Sequence, residues 1–311
     1  GQNIHEVKRW VEDCRQKLFM IREKRVHPGK DDKILTSWNG LMIAAFAQGY
    51  KAFGGETYLR AAVSAAAFIE KYLHDASGRL LVRYRDGEAK YAAYLDDYAC
   101  LIYGLLELYE ATFDTVYLER ALQYYEQMVQ WFWDEEDGGF YFYASDSEQL
   151  LIRMKEVYDG AMPSGNSIAA YVMQRLAHLT GSERIQEKAE QMLQAFAGEV
   201  SRYPNGFAMF MHAVLFAVGP SKQIVLAGEA QDERVQDMLT TVRSLFLPQT
   251  VVAWNVQGEP GEKARELMPV IAGRELVDGQ AAAYICENFA CQAPLTDVKQ
   301  LHSQLRFGSD I

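Results

Sequence analysis

Residues 94–109, Tyr-Leu-Asp-Asp-Tyr-Ala-Cys-Leu-Ile-Tyr-Gly-Leu-Leu-Glu-Leu-Tyr, decide the fold. After the paired acids Asp96 and Asp97, apolar side chains recur at helical spacing through Tyr98, Leu101, Ile102, Leu105, Leu106 and Tyr109. The spacing predicts an inner helix that starts at carboxylates and is apolar over most of its surface. Three other stretches share this make-up. Trp38, Leu41, Met42, Ala45, Phe46, Gly49 and Tyr50 form the first, and Ile168, Val172, Leu176 and Leu179 the third. The fourth, 207–218, is apolar on nearly every side except at His212 and is expected to be buried all round. Between them lie helices with one charged face, at 58–73, 117–131 and 185–196. Inner helices begin near residues 36, 95, 164 and 206. A recurrence of this kind marks stacked helix pairs, none of which buries its apolar face alone.

The connections are asymmetric. Links from inner to outer helices are short, as at Phe53-Gly54-Gly55-Glu56, whereas the outer-to-inner links are long and carry strand signals. Residues 80–85, Asp86-Gly87 and 90–94 read as a β-hairpin, and 139–143 with 150–154 as a second around a polar turn. Long loops on one side imply one functional face. The expected fold is mainly α, an incomplete (α/α) toroid of helical hairpins with β-hairpin insertions, with an open solenoid as the alternative. From about Lys222 the pattern changes to strand 223–227, helix 234–247, strand 250–255 and a third strand at 282–286, which suits a small βαβ unit. The expected organisation is therefore a toroid region over 1–219 and a small α/β C-terminal segment over 220–311 packed on it. Gly228 after the first strand is not part of a GxGxxG run, so a packing role is expected there.

Composition narrows the classes of partner. The 311 residues hold 31 Lys plus Arg against 42 Asp plus Glu, a net charge of −11, which disfavours nucleic acid and anionic membranes. No apolar run reaches the length that spans a bilayer. Four scattered cysteines, Cys14, Cys100, Cys286 and Cys291, point to a reducing compartment, and a cytoplasmic location is expected. His and Cys do not cluster at ligand spacing, so no metal and no cofactor are expected.

Carboxylates gather where the inner helices begin: Asp31-Asp32-Lys33 before the first, Asp96-Asp97 before the second, and Asp159-Gly160 through Ser167 before the third. Parallel inner helices would bring these starts to one rim around a central mouth. Ser, Thr, Asp and Asn are also the preferred N-caps, and a carboxylate there gains about 0.3–1 kcal/mol. One residue of each pair is expected to cap, and for Asp96 and Asp97 both roles stay open. Aromatic residues crowd the same links, among them Trp38, Tyr94, Tyr98, Trp131, Tyr141 and Tyr158, which suits stacking on a sugar ring as well as packing of a hairpin. Glycoside hydrolysis needs two carboxyl groups, about 5–5.5 Å or about 6.5–9.5 Å apart. Asp31, Asp32, Asp96, Asp97 and Asp159 are the candidate acid, base or substrate-holding groups, with Lys33, Asn39, Ser164 and Asn166 to bind hydroxyls and Trp38 and Tyr94 to stack. An epimerase would instead need a proton-transfer base, usually His. His27 and His212 are so placed, although packing is the expected role of each. The alternative is a non-catalytic toroid whose acids are locked as caps or in ion pairs with Lys33, Arg83 or Arg85.

The run Leu18-Phe19 through Arg22, Arg25, Pro28, Asp31-Asp32-Lys33, Thr36 and Trp38-Asn39-Gly40-Leu41 resembles a signature of the spermatogenesis-associated, thioredoxin-like protein family, with its bacterial YyaL-like members. Tyr94 to Tyr98, Asp159 to Ser167 and Cys286 to Pro294 agree with it, in order and with suitable gaps. The resemblance implies an N-terminal thioredoxin-like domain as partner in the full-length protein. It also implies a toroid similar to six-hairpin glycosidases and N-acylglucosamine 2-epimerases, acting on a carbohydrate-like small molecule. Without the thioredoxin-like domain and the first toroid helices, the chain reads as a C-terminal fragment. The resemblance also raises Cys286 and Cys291 as a redox pair. Two buried thiols are the expected reading, since the neighbouring sequence supplies no cation to stabilise a thiolate.

Overall fold

Two compact units, Gly1–Lys33 and Ile34–Ile311, make up the computed structural model, which describes residues 3–148, 151–256, 258–287 and 290–307. The first unit holds α1 (Ile4–Arg22), capped by the Asn3 side chain, which accepts the His5 N–H at 3.0 Å. The second opens with the two-residue strand β1 (Ile34–Leu35) and then alternates inner and outer helices. These are α2 (Thr36–Phe53), α3 (Glu56–Tyr72), α4 (Leu95–Thr112), α5 (Thr115–Phe132), α6 (Gly165–Thr180), α7 (Glu183–Arg202) and α8 (Ala208–Val218). The inner helices α2, α4, α6 and α8 pack on one another in chain order, while α3, α5 and α7 each pack outside the inner helix before them. The fold is mainly α, helical hairpins stacked in chain order in the manner of an incomplete toroid, as the periodicity anticipated.

Glycine sets the tightest of these contacts. A Cβ on Gly40 of α2 would lie 2.5 Å from the carbonyl carbon and oxygen of Cys100, and one on Gly104 of α4 would lie 2.7 Å from the Gly40 oxygen. Neither helix backbone can move aside cheaply. Gly40→Ala is expected to lower the unfolding free energy in urea by about 2–3 kcal/mol. The control Gly198→Ala, in open space on α7, should stabilise by about 0.5–1 kcal/mol through helix propensity.

The first hairpin forms as read, with β2 (Leu81–Arg85) antiparallel to β3 (Glu88–Ala92) and β1 paired on the outside of β2. Its turn places Asp86 at φ 53° and Gly87 at φ 79°, the backbone a two-residue hairpin loop demands. The second expected hairpin does not form among the described residues, and Leu150 lies outside them. Residues 139–143 bridge back to the end of α5, Trp133 with Phe140, and among the described residues reach 151–154 by a single backbone bond, from the Phe142 N–H to the Met154 oxygen at 2.9 Å. The reason is that the Asn166 side chain takes both the N–H and the C=O of Phe140, each at 2.9 Å, leaving neither for a ladder. A second correction concerns 207–218. α8 buries Phe210, Ala213 and Phe216 but exposes Leu215 and Val218, because one face packs on α6.

The chain then forms β4 (Lys222–Ala227), α9 (Glu233–Arg243), β5 (Thr250–Asn255), α10 (Glu259–Leu267), β6 (Ala282–Glu287), β7 (Ala290–Cys291) and α11 (Val298–Phe307). The strands order β5-β4-β6-β7, with β4 and β5 parallel and β6 antiparallel to β4. Alternation along β4 explains how this layer is held. Ile224 and Leu226 face a core with Val235, Met238, Leu301 and Leu305, while Val225 joins the core of the helical pairs with Val251 and Ala253 of β5. Residue 220 thus marks a change from helix pairs to sheet inside a unit that runs on from Ile34. The two thiols expected near its end are joined. β6 and β7 pair with Cys286 opposite Cys291, and the two form a disulfide with Cys286 buried and Cys291 exposed.

Candidate functional site

The first N–H groups of a helix have no partner within it. Three carboxylates at the rim meet that need, each across two neighbouring inner helices. Asp97, third residue of α4, accepts the Tyr94 N–H with Oδ2 and the Ser37 N–H of α2 with Oδ1, both at 3.0 Å. Asp96 accepts the N–H of Gly165, first residue of α6. Asp159 accepts the Ser164 N–H at 2.9 Å with Oδ1, and with Oδ2 the N–H groups of Met209 at 2.7 Å and Phe210 at 3.3 Å, at the start of α8. Acid by acid, α2 is tied to α4, α4 to α6, and α6 to α8. Burial is the main influence on Asp96 and Asp97 and outweighs their N–H bonds, so both are pushed up to about 6, Asp96 with help from the Glu156 carboxylate.

The other predicted rim residues fall into three groups. Ser164 and Asn166 are engaged with the backbone. Ser164 caps α6 by accepting the Ser167 N–H at 3.0 Å, and Asn166 is fully buried, spending its amide on Phe140 and on the Glu156 oxygen at 2.9 Å. Asn39 is likewise turned to the backbone, donating to the Leu35 oxygen at 2.8 Å. Trp38 is 58% exposed, and Tyr94 stacks on Phe142 with ring centroids 5.1 Å apart. Asp31, Asp32 and Lys33 belong to the first compact unit, where Lys33 Nζ lies 3.2 Å from Asp31 Oδ2. Of the cations considered as partners, Arg85 lies 3.5 Å from Asp86, and Arg83 sits over the Tyr91 ring at 5.1 Å.

Farther along the same helices, polar side chains converge where the sequence showed none grouped. A cavity of about 370 Å³ is lined by Gln48 and Lys51 of α2, Tyr103, Glu107 and Glu110 of α4, Tyr171 and Arg175 of α6, and Met209 and His212 of α8, with 246–248 and Thr250 completing it. Lys51 Nζ lies 2.6 Å from Glu107 Oε2 and 3.0 Å from Glu110 Oε2. Arg175 lies 2.5 Å from Glu107 Oε1 through Nη1 and 2.9 Å from Glu110 Oε1 through Nη2. Two cations and two anions thus close into a neutral ring. Burial alone would raise the Glu107 carboxyl and lower the Lys51 ammonium, but the opposite charges win. Arg175 and Lys51 bring Glu107 down to about 2, while Glu107 and Glu110 hold Lys51 above its usual value. Tyr103 accepts a hydrogen bond from Gln48 at 2.8 Å, and the Tyr171 ring contacts both Tyr103 and His212 at 6.0 Å between centroids.

Reading for acids at helix starts missed this cluster. The available signal was Glu107 and Glu110 three residues apart in a helix that is mostly apolar beyond its first turn, since buried carboxylates at that spacing require cations from neighbouring elements. Among the described residues, no group of three or more His, Cys, Asp or Glu is placed to hold a metal ion, and no helix is long and apolar enough to cross a membrane.

No family profile matches the chain. It is 31% identical over 317 aligned residues to spermatogenesis-associated protein 20 of Homo sapiens, covering 98% of this chain and 40% of that protein. It is 28% identical over 320 residues to the uncharacterized protein B0495.5 of Caenorhabditis elegans, covering 96% and 41%. The chain therefore spans about two fifths of the curated relatives it matches. Among solved structures, a sugar epimerase from a ruminal bacterium aligns with TM-score 0.48 at 15% identity, over 70% of this chain and 62% of its own. The cellobiose 2-epimerase from Spirochaeta thermophila aligns with TM-score 0.45 at 21% identity, over 53% and 43%.

Proposed function

We propose, from the premise that this chain is homologous over nearly its whole length to the spermatogenesis-associated protein 20 sequences, that it binds a sugar-sized polyhydroxylated molecule between its inner helices and moves a proton on it. The reaction class is that of an epimerase or isomerase, with His212 as the base. One observation carries the reading: each of the four inner helices sends a polar side chain, Lys51, Glu107, Arg175 and His212 in turn, to one cavity. Hydroxyl groups need donors and acceptors in mixture, which this lining offers, and the Tyr103 and Tyr171 rings add apolar faces. Imidazole is the commonest base for proton transfer near neutral pH. Hydrolysis at this cavity is disfavoured, because it needs a protonated carboxylic acid and Glu107 is held ionised. The thioredoxin-like partner domain implied by the family resemblance stays part of the proposal.

A second reading places hydrolysis at the rim. Asp96, with its carboxyl at about 6 and Glu156 as neighbour, has the character of a general acid. One experiment separates the two. Mono- and disaccharides would be incubated with the protein in heavy water and followed by NMR. Proton transfer puts deuterium on the carbon beside the carbonyl, and His212→Asn should slow that exchange by about 10²–10⁴-fold, with binding retained. Release of a free reducing end, lost in Asp96→Asn and kept in His212→Asn, would favour the rim. Failure of any sugar to bind would overturn both.

A further inference from the structure

The sheet of the α/β layer ends in a feature unrelated to the cavity. Antiparallel pairing sets Cys286 of β6 opposite Cys291 of β7, and the two are joined as a disulfide. Their surroundings differ sharply. Cys286 is 2% exposed, whereas Cys291 is exposed on the last strand of the sheet. Arg274, distant in sequence, brings Nη2 to 3.1 Å from Cys291 Sγ, while its Nη1 donates to the Ala272 oxygen at 2.9 Å and the Asn255 amide holds its backbone oxygen at 2.6 Å. The nearby Glu287 carboxylate is turned to Lys222 at 3.4 Å. One sulfur is thus accessible beside a fixed guanidinium, and the other is enclosed.

We infer that Cys286, Cys291 and Arg274 form a thiol–disulfide exchange site whose substrates are dithiols and disulfides. A thiolate of an incoming dithiol attacks the exposed Cys291 Sγ, a new S–S bond forms to it, and the Cys286–Cys291 bond breaks with its electron pair going to Cys286, which takes up a proton. The second thiol of the reductant then attacks its own half of the mixed disulfide and releases Cys291 as a thiolate facing Arg274. The reductant leaves as a disulfide, having given two electrons to the pair. In the reverse direction, Cys291 is the attacking thiolate and Cys286 the resolving thiol. A cation beside the exposed sulfur is what makes a cysteine nucleophilic at neutral pH.

The test uses the whole chain and two cysteines as internal references, exposed Cys14 and buried Cys100. The protein is reduced with dithiothreitol, freed of it, and pulsed with iodoacetamide at neutral pH, with each cysteine followed by peptide mass spectrometry. Cys291 should alkylate about tenfold faster than Cys14, with Cys286 and Cys100 far behind. Arg274→Ala should bring Cys291 to the rate of Cys14, and Arg274→Lys should recover most of the difference. Oxidised dithiothreitol should restore the disulfide. A wild-type Cys291 no faster than Cys14 would overturn the inference without any variant. A bond that opens only when far-ultraviolet circular dichroism shows unfolding would do the same.

Discussion

Arg175→Met is expected to lower the unfolding free energy by about 3–5 kcal/mol, the cost of leaving buried carboxylates without their cation. Arg175 and Glu107 are each under 5% exposed, and Glu110 is little more, so water cannot replace the guanidinium. Lys51 alone would then face two carboxylates, and one would take up a proton. The measurement is urea unfolding of Arg175→Met, Glu107→Gln and the double variant. The double variant should be less damaged than the sum of the singles, because removing both members of a buried pair leaves no orphaned charge. Additive losses would show that Arg175 acts through packing. If the cavity also binds the substrate, Glu107→Gln should weaken sugar binding beyond its effect on stability.

The buried carboxylates at the two ends of the inner helices should together contribute most to stability near pH 4. At the rim, Asp96 and Asp97 hold their protons more tightly in the folded protein than in the unfolded chain, with the carboxyls raised from 3.8 to about 6 by burial. Their contribution is fully present below about pH 4 and is lost as the pH rises to about 6. Each is worth about 2–3 kcal/mol from the difference between those two values, with Asp96 at the lower end because it is partly exposed. Glu107 runs the other way. Its carboxyl is lowered from 4.5 to about 2, so its contribution is present above about pH 4.5 and is lost as the pH falls to about 2. Melting temperatures between pH 2 and 7 would check both limbs. Asp97→Asn should flatten the pH 4–6 limb. It should also cost stability at every pH, since an amide offers one oxygen where the Ser37 and Tyr94 N–H groups occupy two. A limb unchanged in Asp97→Asn would remove Asp97 as its source.

Much of the helical framework could be read in advance because it is local. Leu101, Leu105 and Tyr109, or Ile185, Ala189 and Met192, carry the helical period within a few turns, and Asp86-Gly87 carries the turn. The second hairpin misled because its strand-like composition is real, yet a side chain two dozen residues away, Asn166, holds the backbone groups a partner strand would need. The helices α10 and α11 were also missed. They are short, polar on much of their length, and stabilised by packing on α5 and α9.

The rim shows the same division at the level of chemistry. That acids stand at the helix starts was plain from the chain. Asp97 was open to a cap or a catalytic reading and Asp159 was read as a candidate functional acid, and the packed fold supplies both with N–H groups of a neighbouring helix as partners. Conversely, Lys51, Glu107, Glu110 and Arg175 come from three helices, with up to 124 residues between the first and last, and no window of sequence contains them together.

What the sequence determined by itself was periodicity: which of the longer apolar-striped segments are helices, which of those are inner and outer, where the three longer strands of the small sheet lie, and that carboxylates mark the helix starts. The reason is that a helix or strand states its period in consecutive residues. What only the tertiary structure decided was partnership. Whether an acid caps, catalyses or pairs, and whether Cys291 meets a guanidinium, depends on which groups from distant segments arrive within about 3 Å. Burial of those groups, which sets their proton affinity, is likewise a property of the packed whole.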